Sequence, residues 1–302
     1  MRQKNPSKNV ISLVNRIGPK ESKASLTQHK PRTAPTRVIA ITSGKGGVGK
    51  TNIVANLGYA FSNLGKSVFI LDADLGLGNL DVLLGLAPKY NLSHVILGEK
   101  TLPEIVVEGP GKMKILPASS GVQELTHLTR EQKIAILTAL DELIDAADIF
   151  IIDTAAGISS NVMDFNVTAH EIVVVVSPEP TSITDAYALM KVLALKYFEK
   201  RCKVLVNLAT TAQEGEDIFR QLNRVTDRFL NISIEYLGYV LFDEKVTKGV
   251  KHQRIISELY PDARASRCFA DLAQRIANSP ARHVPRGDTN FFWRHLVSNS
   301  LR

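Results

Sequence analysis

Hydrophobic positions along this chain come in two textures. Short runs that are apolar at nearly every position alternate with longer stretches in which apolar residues recur every three or four positions. The short runs are Val38–Thr42, Ser67–Leu71, Met113–Pro117, Ile149–Asp153, Ile172–Ser177, Lys203–Asn207 and Ile234–Leu241. The periodic stretches lie near Lys50–Leu64, Arg130–Ala146, Ser160–Ala169, Thr181–Tyr197, Glu214–Phe229 and Asp262–Asn278. Strands that are apolar throughout, without alternation, are covered on both faces. Their alternation with helices calls for right-handed βαβ crossovers and a mostly parallel sheet. The predicted fold is α/β, three-layered, with helices on both sides of that sheet, in one domain over residues 37–279.

The ends read differently. Residues 1–36 mix Lys, Pro, Ser, Thr and Gln around one apolar island, Asn9–Ile17. This is a basic, disordered tail by composition. It is either simply solvated or an arm whose island folds on a partner. Residues 280–288 contain two prolines and a glycine and read as a linker to a last segment, 289–302.

Charge sharpens this division. The chain of 302 residues carries +7. Residues 1–37 hold nine Lys and Arg against Glu21 alone, a surplus of eight, so the remainder carries −1. The body therefore has no overall basic bias toward nucleic acid, which speaks against DNA as a partner. Cys202 and Cys268 are the only cysteines, 66 positions apart, and give neither a disulfide framework nor a metal-cluster spacing. No apolar run approaches the length of a membrane span, and no secretory leader is visible. A cytoplasmic protein is expected.

The first strand runs into Ser43–Thr51, SGKGGVGKT. It contains G-x-x-x-x-G-K-[ST] as Gly44, Gly49, Lys50 and Thr51, after a strand and before a helix, the context that a phosphate loop requires. Gly44, Gly46, Gly47 and Gly49 let backbone N–H groups approach phosphate oxygens without a Cβ in the way. The helix N-terminus favours an anion, Lys50 neutralises the β- and γ-phosphates, and the Thr51 hydroxyl can hold Mg²⁺. The nucleotide-binding residues are thus Gly44, Lys45, Gly46, Gly47, Val48, Gly49, Lys50, Thr51 and Asn52. With ATP and Mg²⁺ as ligands, the fold becomes that of a P-loop NTPase.

Two further strands end in carboxylates. Ser67–Leu71 leads into Asp72 and Asp74, and Ile149–Asp153 (IFIID) ends in Asp153. Ligands of open parallel sheets bind beyond the carboxyl ends of the strands, where such groups meet metal or water. An Asp there can equally cap a helix or form a turn.

A second lysine inside the loop, Lys45 in KGGVGKT, resembles the deviant Walker A motif of the MinD/ParA family of ATPases. The stretch DADLGLGNLD (Asp72–Asp81) is similar to the family's first switch region, and DTAAG (Asp153–Gly157) to its Walker B and second switch. The resemblance implies an ATPase in which Lys45 reaches phosphate across an ATP-dependent homodimer. It gives Lys45, Lys50, Asp74 and Asp153 catalytic roles, with Asp74 orienting the attacking water. Thr51, Asp72 and Asp153 stand toward Mg²⁺, Gly157 offers its N–H near the γ-phosphate, and Asn207 pairs with adenine. Leu237–Phe242 (LGYVLF) departs from the family, with Leu241 where a proline is usual.

SPEPTSITDAYALMK (Ser177–Lys191), GYVLFDEKVTKGVKHQ (Gly238–Gln253) and FFWRHL (Phe291–Leu296) resemble the family's flagellar branch, FlhG and FleN. This implies control of flagellar number or placement. The implied partners are an FlhF-type GTPase, flagellar switch-complex proteins or a flagellar transcription regulator. The N-terminal DQAxxLR-type element common in that branch is not found. A septum-site ATPase or a DNA-partition ATPase shares the chemistry and remains the alternative. On a helix at 100° per residue, Phe292, Trp293, Leu296 and Val297 fall within an arc of about 140°. They suggest reversible contact with the inner face of the cell membrane; packing on the protein's own surface is the other reading.

Overall fold

The computed structural model describes residues 36–74, 77–118, 140, 143–144 and 146–280. Almost all of the basic tail, the linker from residue 281, the Phe291–Arg302 segment and most of the helix expected over Arg130–Ala146 lie outside the described residues.

The elements, in chain order, begin with β1 (Arg37–Ser43), α1 (Lys50–Asn63), β2 (Val68–Ala73), α2 (Leu80–Leu83), α3 (Leu92–Ile96) and α4 (Leu102–Ile105). They continue with β3 (Val107–Glu108), β4 (Lys114–Leu116), β5 (Ile149–Ala156), α5 (Ser160–Thr168), β6 (Glu171–Val176) and α6 (Pro180–Lys196). The last are β7 (Arg201–Ala209), α7 (Ala212–Phe229), β8 (Ser233–Leu241), α8 (Glu244–Lys251), α9 (Ile256–Leu259) and α10 (Arg264–Asn278). Every strand expected from the apolar runs is present. The two-residue β3 and the short helices α2, α3, α4, α8 and α9 are additions.

Because side chains alternate across a strand, each fully apolar run feeds two cores. Ile39, Ile41, Ile70, Ile151 and Val175 enter one face with α1 and α10. Val38, Leu71, Phe150 and Ile152 enter the other beside α3 and α4, while Val174 and Val206 join it under α6 and α7. The sheet order is β3-β4-β2-β5-β1-β6-β7-β8. All pairs are parallel except β3 with β4. Chain direction across the sheet reverses around β1 and β5, which is where a crevice opens beyond the strand ends.

Thr36, which composition placed with the tail, packs with the sheet. Thr36 is buried, and its hydroxyl donates to the carbonyls of Ile144 and Ala147, both at 2.8 Å. At this amino end of the sheet Arg37 is 4% exposed. It forms an ion pair with Glu171, including Nη2 to Oε2 at 2.9 Å, and donates to the carbonyl of Ile276 at the end of α10. Lys203 reaches the same carboxylate at 2.9 Å. Burial pushes Glu171 up, yet Arg37 and Lys203 hold it below the ordinary carboxylate range.

The helix that follows the glycine loop starts on a glycine and not on a capping side chain. Ser159 and Thr211 cap α5 and α7 by accepting from Val162 N–H and Glu214 N–H. Helix α1 has no side-chain cap. Its N-cap is Gly49 in the left-handed region, φ 88°, and its first turn carries no acid. Free N–H groups at a helix start are an anion site awaiting its ligand.

Candidate active site

Three strand ends meet beside that helix start. β1 delivers the glycine loop, β2 delivers Asp72 and Asp74, and β5 delivers Asp153, with Asp72 and Asp153 at the same register position of adjacent strands. The loop's backbone is shaped by glycine where no other residue fits. Gly47 has φ 80°, and a Cβ on Gly44 would stand 2.1 Å from the Asp185 carbonyl oxygen. Around Gly46 and Gly47 a Cβ would meet nothing, so this side of the loop is open to an incoming group.

Lys50 donates to the Ser43 hydroxyl at 2.9 Å, and Ser43 in turn donates to the Lys45 carbonyl at 2.7 Å. The loop is thereby braced from inside. Burial lowers the pKa of Lys50, while Asp153 and Asp74 act in the opposite sense.

Asp153 is 2% exposed, and its Oδ1 has no hydrogen-bond partner. Burial raises its pKa to about 7, against the opposing hydrogen bond from Thr51 and the charge of Lys50. Asp72 is also 2% exposed and accepts from Asp74 N–H at 3.1 Å and Leu80 N–H at 3.3 Å. Burial and then the charge of Asp153 push it well above the ordinary range. Two buried carboxylates with an unsatisfied oxygen form a site that a divalent cation would neutralise. Among the described residues no group of three or more His, Cys, Asp or Glu side chains forms a metal cage. A cation here must take further oxygens from Thr51 and from phosphate, which is how Mg²⁺ is held beside nucleotides.

A family model described as an AAA domain matches residues 36–206. Antiactivator FleN of Pseudomonas aeruginosa is 46% identical over 265 residues, covering 88% of this chain and 95% of FleN. The flagellum site-determining protein YlxH of Helicobacter pylori is 30% identical, covering 87% of this chain and 90% of YlxH. The chain is a MinD/ParA-type flagellar ATPase. Its fold is that of the septum site-determining protein MinD complexed with Mg-ADP from Pyrococcus horikoshii, with TM-score 0.65, 23% identity and coverage of 80% and 96% of the two chains.

The ATPase binds ATP with Mg²⁺ and hydrolyses ATP to ADP and phosphate. Mg²⁺, when bound, supplies positive charge to the phosphate oxygens. Lys50 adds a cation at the loop, the uncapped start of α1 favours an anion, and Asp74 follows the carboxyl end of β2. Phosphoryl transfer depends mainly on such positioning and charge, so no separate strong base is required.

Other expected residues fall in informative places. Asp74 accepts from Leu77 N–H at 3.1 Å and has a neighbouring carboxylate in Asp72. The Asn207 amide donates to the Val48 carbonyl at 2.7 Å, and a Cβ on Gly49 would lie 2.5 Å from its nitrogen. Asn207 is thus a brace for the loop, with one amide N–H engaged by the Val48 carbonyl. Gly157 has φ 96°, but its N–H donates to the Ser43 carbonyl at 2.9 Å and is not offered to a phosphate in this state. Asn52 lies in the first turn of α1, and its carbonyl accepts from Asn56.

Lys45 does not turn toward its own loop. It forms an ion pair with Glu179 and donates to the Thr181 hydroxyl at 2.9 Å. Sequence reasoning missed this pairing. The available signal was an acid two residues beyond a strand whose carboxyl end borders the loop.

Proposed function

We propose that this flagellar ATPase is an ATP-driven dimerisation switch that regulates flagellar number or placement. The observation that carries this reading is Lys45. A lysine inside a phosphate loop would neutralise its own nucleotide if charge were its only use. Here it is partly exposed and held to the side by Glu179 and Thr181, where a second copy could meet it.

Lys45 then reaches the phosphates bound by the partner copy, and Asp74 orients the attacking water. Hydrolysis converts ATP and water to ADP and phosphate and removes the group that holds the copies together. The regulatory side of the reading is supported by the relatives: one is called an antiactivator, the other a flagellum site-determining protein. The partner is a flagellar transcription regulator, an FlhF-type GTPase or a switch-complex protein. The dimer contacts the inner face of the cell membrane through Phe292, Trp293, Leu296 and Val297, which lie outside the described residues. Two weak apolar tails on one dimer gain avidity without new contacts. Among the described residues no helix is long and apolar enough to cross a membrane.

The test is the solution mass of Asp74→Ala by light scattering. A dimer with Mg-ATP and a monomer with Mg-ADP are expected. The same mass with both nucleotides would overturn the switch.

A further inference from the structure

The segment that follows Asp74 poses a mechanical problem. Helix α2 is four residues long, too short to hold itself in water. Yet its first N–H, that of Leu80, is, with that of Asp74, a donor fixing the Asp72 carboxylate. Leu80, Leu83 and Leu84 drop into the core below. Burial fixes the depth of the segment but does not fix its position along the surface. Val82, on the outer side, is 52% exposed.

A second segment closes that side. Gln253 donates through Nε2 to the Val82 carbonyl at 3.1 Å, across 171 positions of sequence. Its own carbonyl sits against Gly85, where an added Cβ would stand 3.2 Å away. Gln253 holds φ 53°, a left-handed conformation that non-glycine residues rarely adopt. Such an outlier at a contact points to a purpose at that contact.

The turn carrying Gln253 is itself anchored. Gly249 is packed under Arg254, whose N–H returns to the Gly249 carbonyl at 3.0 Å. Ile255 and Ile256 are each 1% exposed. Ser257 N–H donates to Asn56 on α1 at 3.0 Å, and the Asn56 amide donates to the Asn52 carbonyl at 2.8 Å. A closed mechanical path therefore runs from the helix behind the phosphate loop, through Asn56 and the 252–257 turn, to Gln253, α2 and the Asp72 carboxylate.

We infer that Gln253 is a positioning residue for ATP hydrolysis: it pins the end of the segment carrying Asp72 and Asp74 to the helix that carries the phosphate loop. It acts through the Val82 carbonyl of that segment. Its loss loosens the geometry of the chemical step and leaves nucleotide capture alone. The inference rests on the assignment of Asp72 and Asp74 to that step.

The test uses the full chain at saturating Mg-ATP, over a range of protein concentrations so that self-association does not limit the rate. Gln253→Glu keeps the shape and replaces the donor by a carboxylate; Gln253→Lys keeps a donor on a side chain of similar reach. Since a misplacement of about 1 Å can cost a hundredfold and this restraint is one of several, Gln253→Glu and Gln253→Ala are expected to lower kcat by about three- to tenfold. The KM for ATP and the thermal midpoint stay near the parent values, and Gln253→Lys recovers most of the rate. An unchanged kcat in Gln253→Glu and Gln253→Ala overturns the inference. So does a raised KM with kcat intact, or a loss shared equally by Gln253→Lys. The underlying assignment fails separately, if Asp74→Ala hydrolyses ATP at the parent rate.

Discussion

The two ends of the central sheet handle buried charge in opposite ways. At the amino end Glu171 lies between Arg37 and Lys203, and Arg37 also closes the last turn of α10. At the carboxyl end Asp72 and Asp153 stand side by side, and Asp153 Oδ1 has no partner. Both sets are buried in the same sheet, so burial alone does not distinguish them. What differs is completion. The first set is satisfied by the chain itself, and its carboxyl is held below the ordinary range. The second is left repulsive, with Asp153 raised to about 7. A fold keeps such an arrangement where a ligand will finish it.

The comparison can be broken at either end. The largest effect is expected from Lys50→Ala, which removes the cation of the carboxyl end. It should lower ATP hydrolysis at least about a hundredfold, read in a phosphate-release assay, with the melting midpoint little changed. Glu171→Ala should do the reverse. Leaving Arg37 and Lys203 without their carboxylate should cost about 3–5 kcal/mol of stability, while hydrolysis per folded molecule is retained. A midpoint within a degree or two of the parent would show that the amino end is not a structural clamp. The smallest shift is expected from Asp153→Asn. The nucleotide-free protein should gain about 1 kcal/mol, because a buried carboxylate that Thr51 and Lys50 only partly satisfy is removed, and Mg²⁺ should no longer add to the stabilisation given by ATP. A destabilised nucleotide-free Asp153→Asn would mean that Asp153 is already satisfied without a ligand.

Much of this was legible in the chain. Apolar runs without alternation announced covered strands, and the glycine loop between a strand and a helix announced phosphate. The same patterns were silent on α2, α3 and α4. Helices of four or five residues are specified by what they pack against, as Leu80, Leu92 and Leu102 are, and leave no periodicity to count. The groups that gather beside the glycine loop were named by type, but not their partners in this state. Asn207 was expected at adenine, and its donor is on the Val48 carbonyl. Lys45 was expected across a dimer, and it is held by Glu179. Arg37 was counted with the basic tail and lies buried at the base of the sheet. Each depends on a contact more than 130 positions away in sequence, which spacing cannot reveal.

The two ends also have opposite pH dependence, and the range between about pH 5 and pH 8 isolates the carboxyl end, because the Glu171 window lies below it. A carboxyl held below its unfolded value, as Glu171 is, adds stability above pH 4.5 that is lost as the pH falls. One raised above its unfolded value, as Asp153 is from 3.8 to about 7, binds its proton more tightly when folded. Its contribution is present at low pH and is lost as the pH rises through that window. The decisive measurement is the melting midpoint of the full chain between about pH 5 and pH 8, with and without Mg-ATP. The nucleotide-free protein should lose stability as the pH rises toward 7, and Asp153→Asn should flatten much of that slope. Mg-ATP should stabilise the parent most at the alkaline side. A nucleotide-free midpoint that is flat or rising across this range in the parent, with the same Mg-ATP gain at every pH, would contradict the claim that the carboxyl end is a charge site left for its ligand to complete.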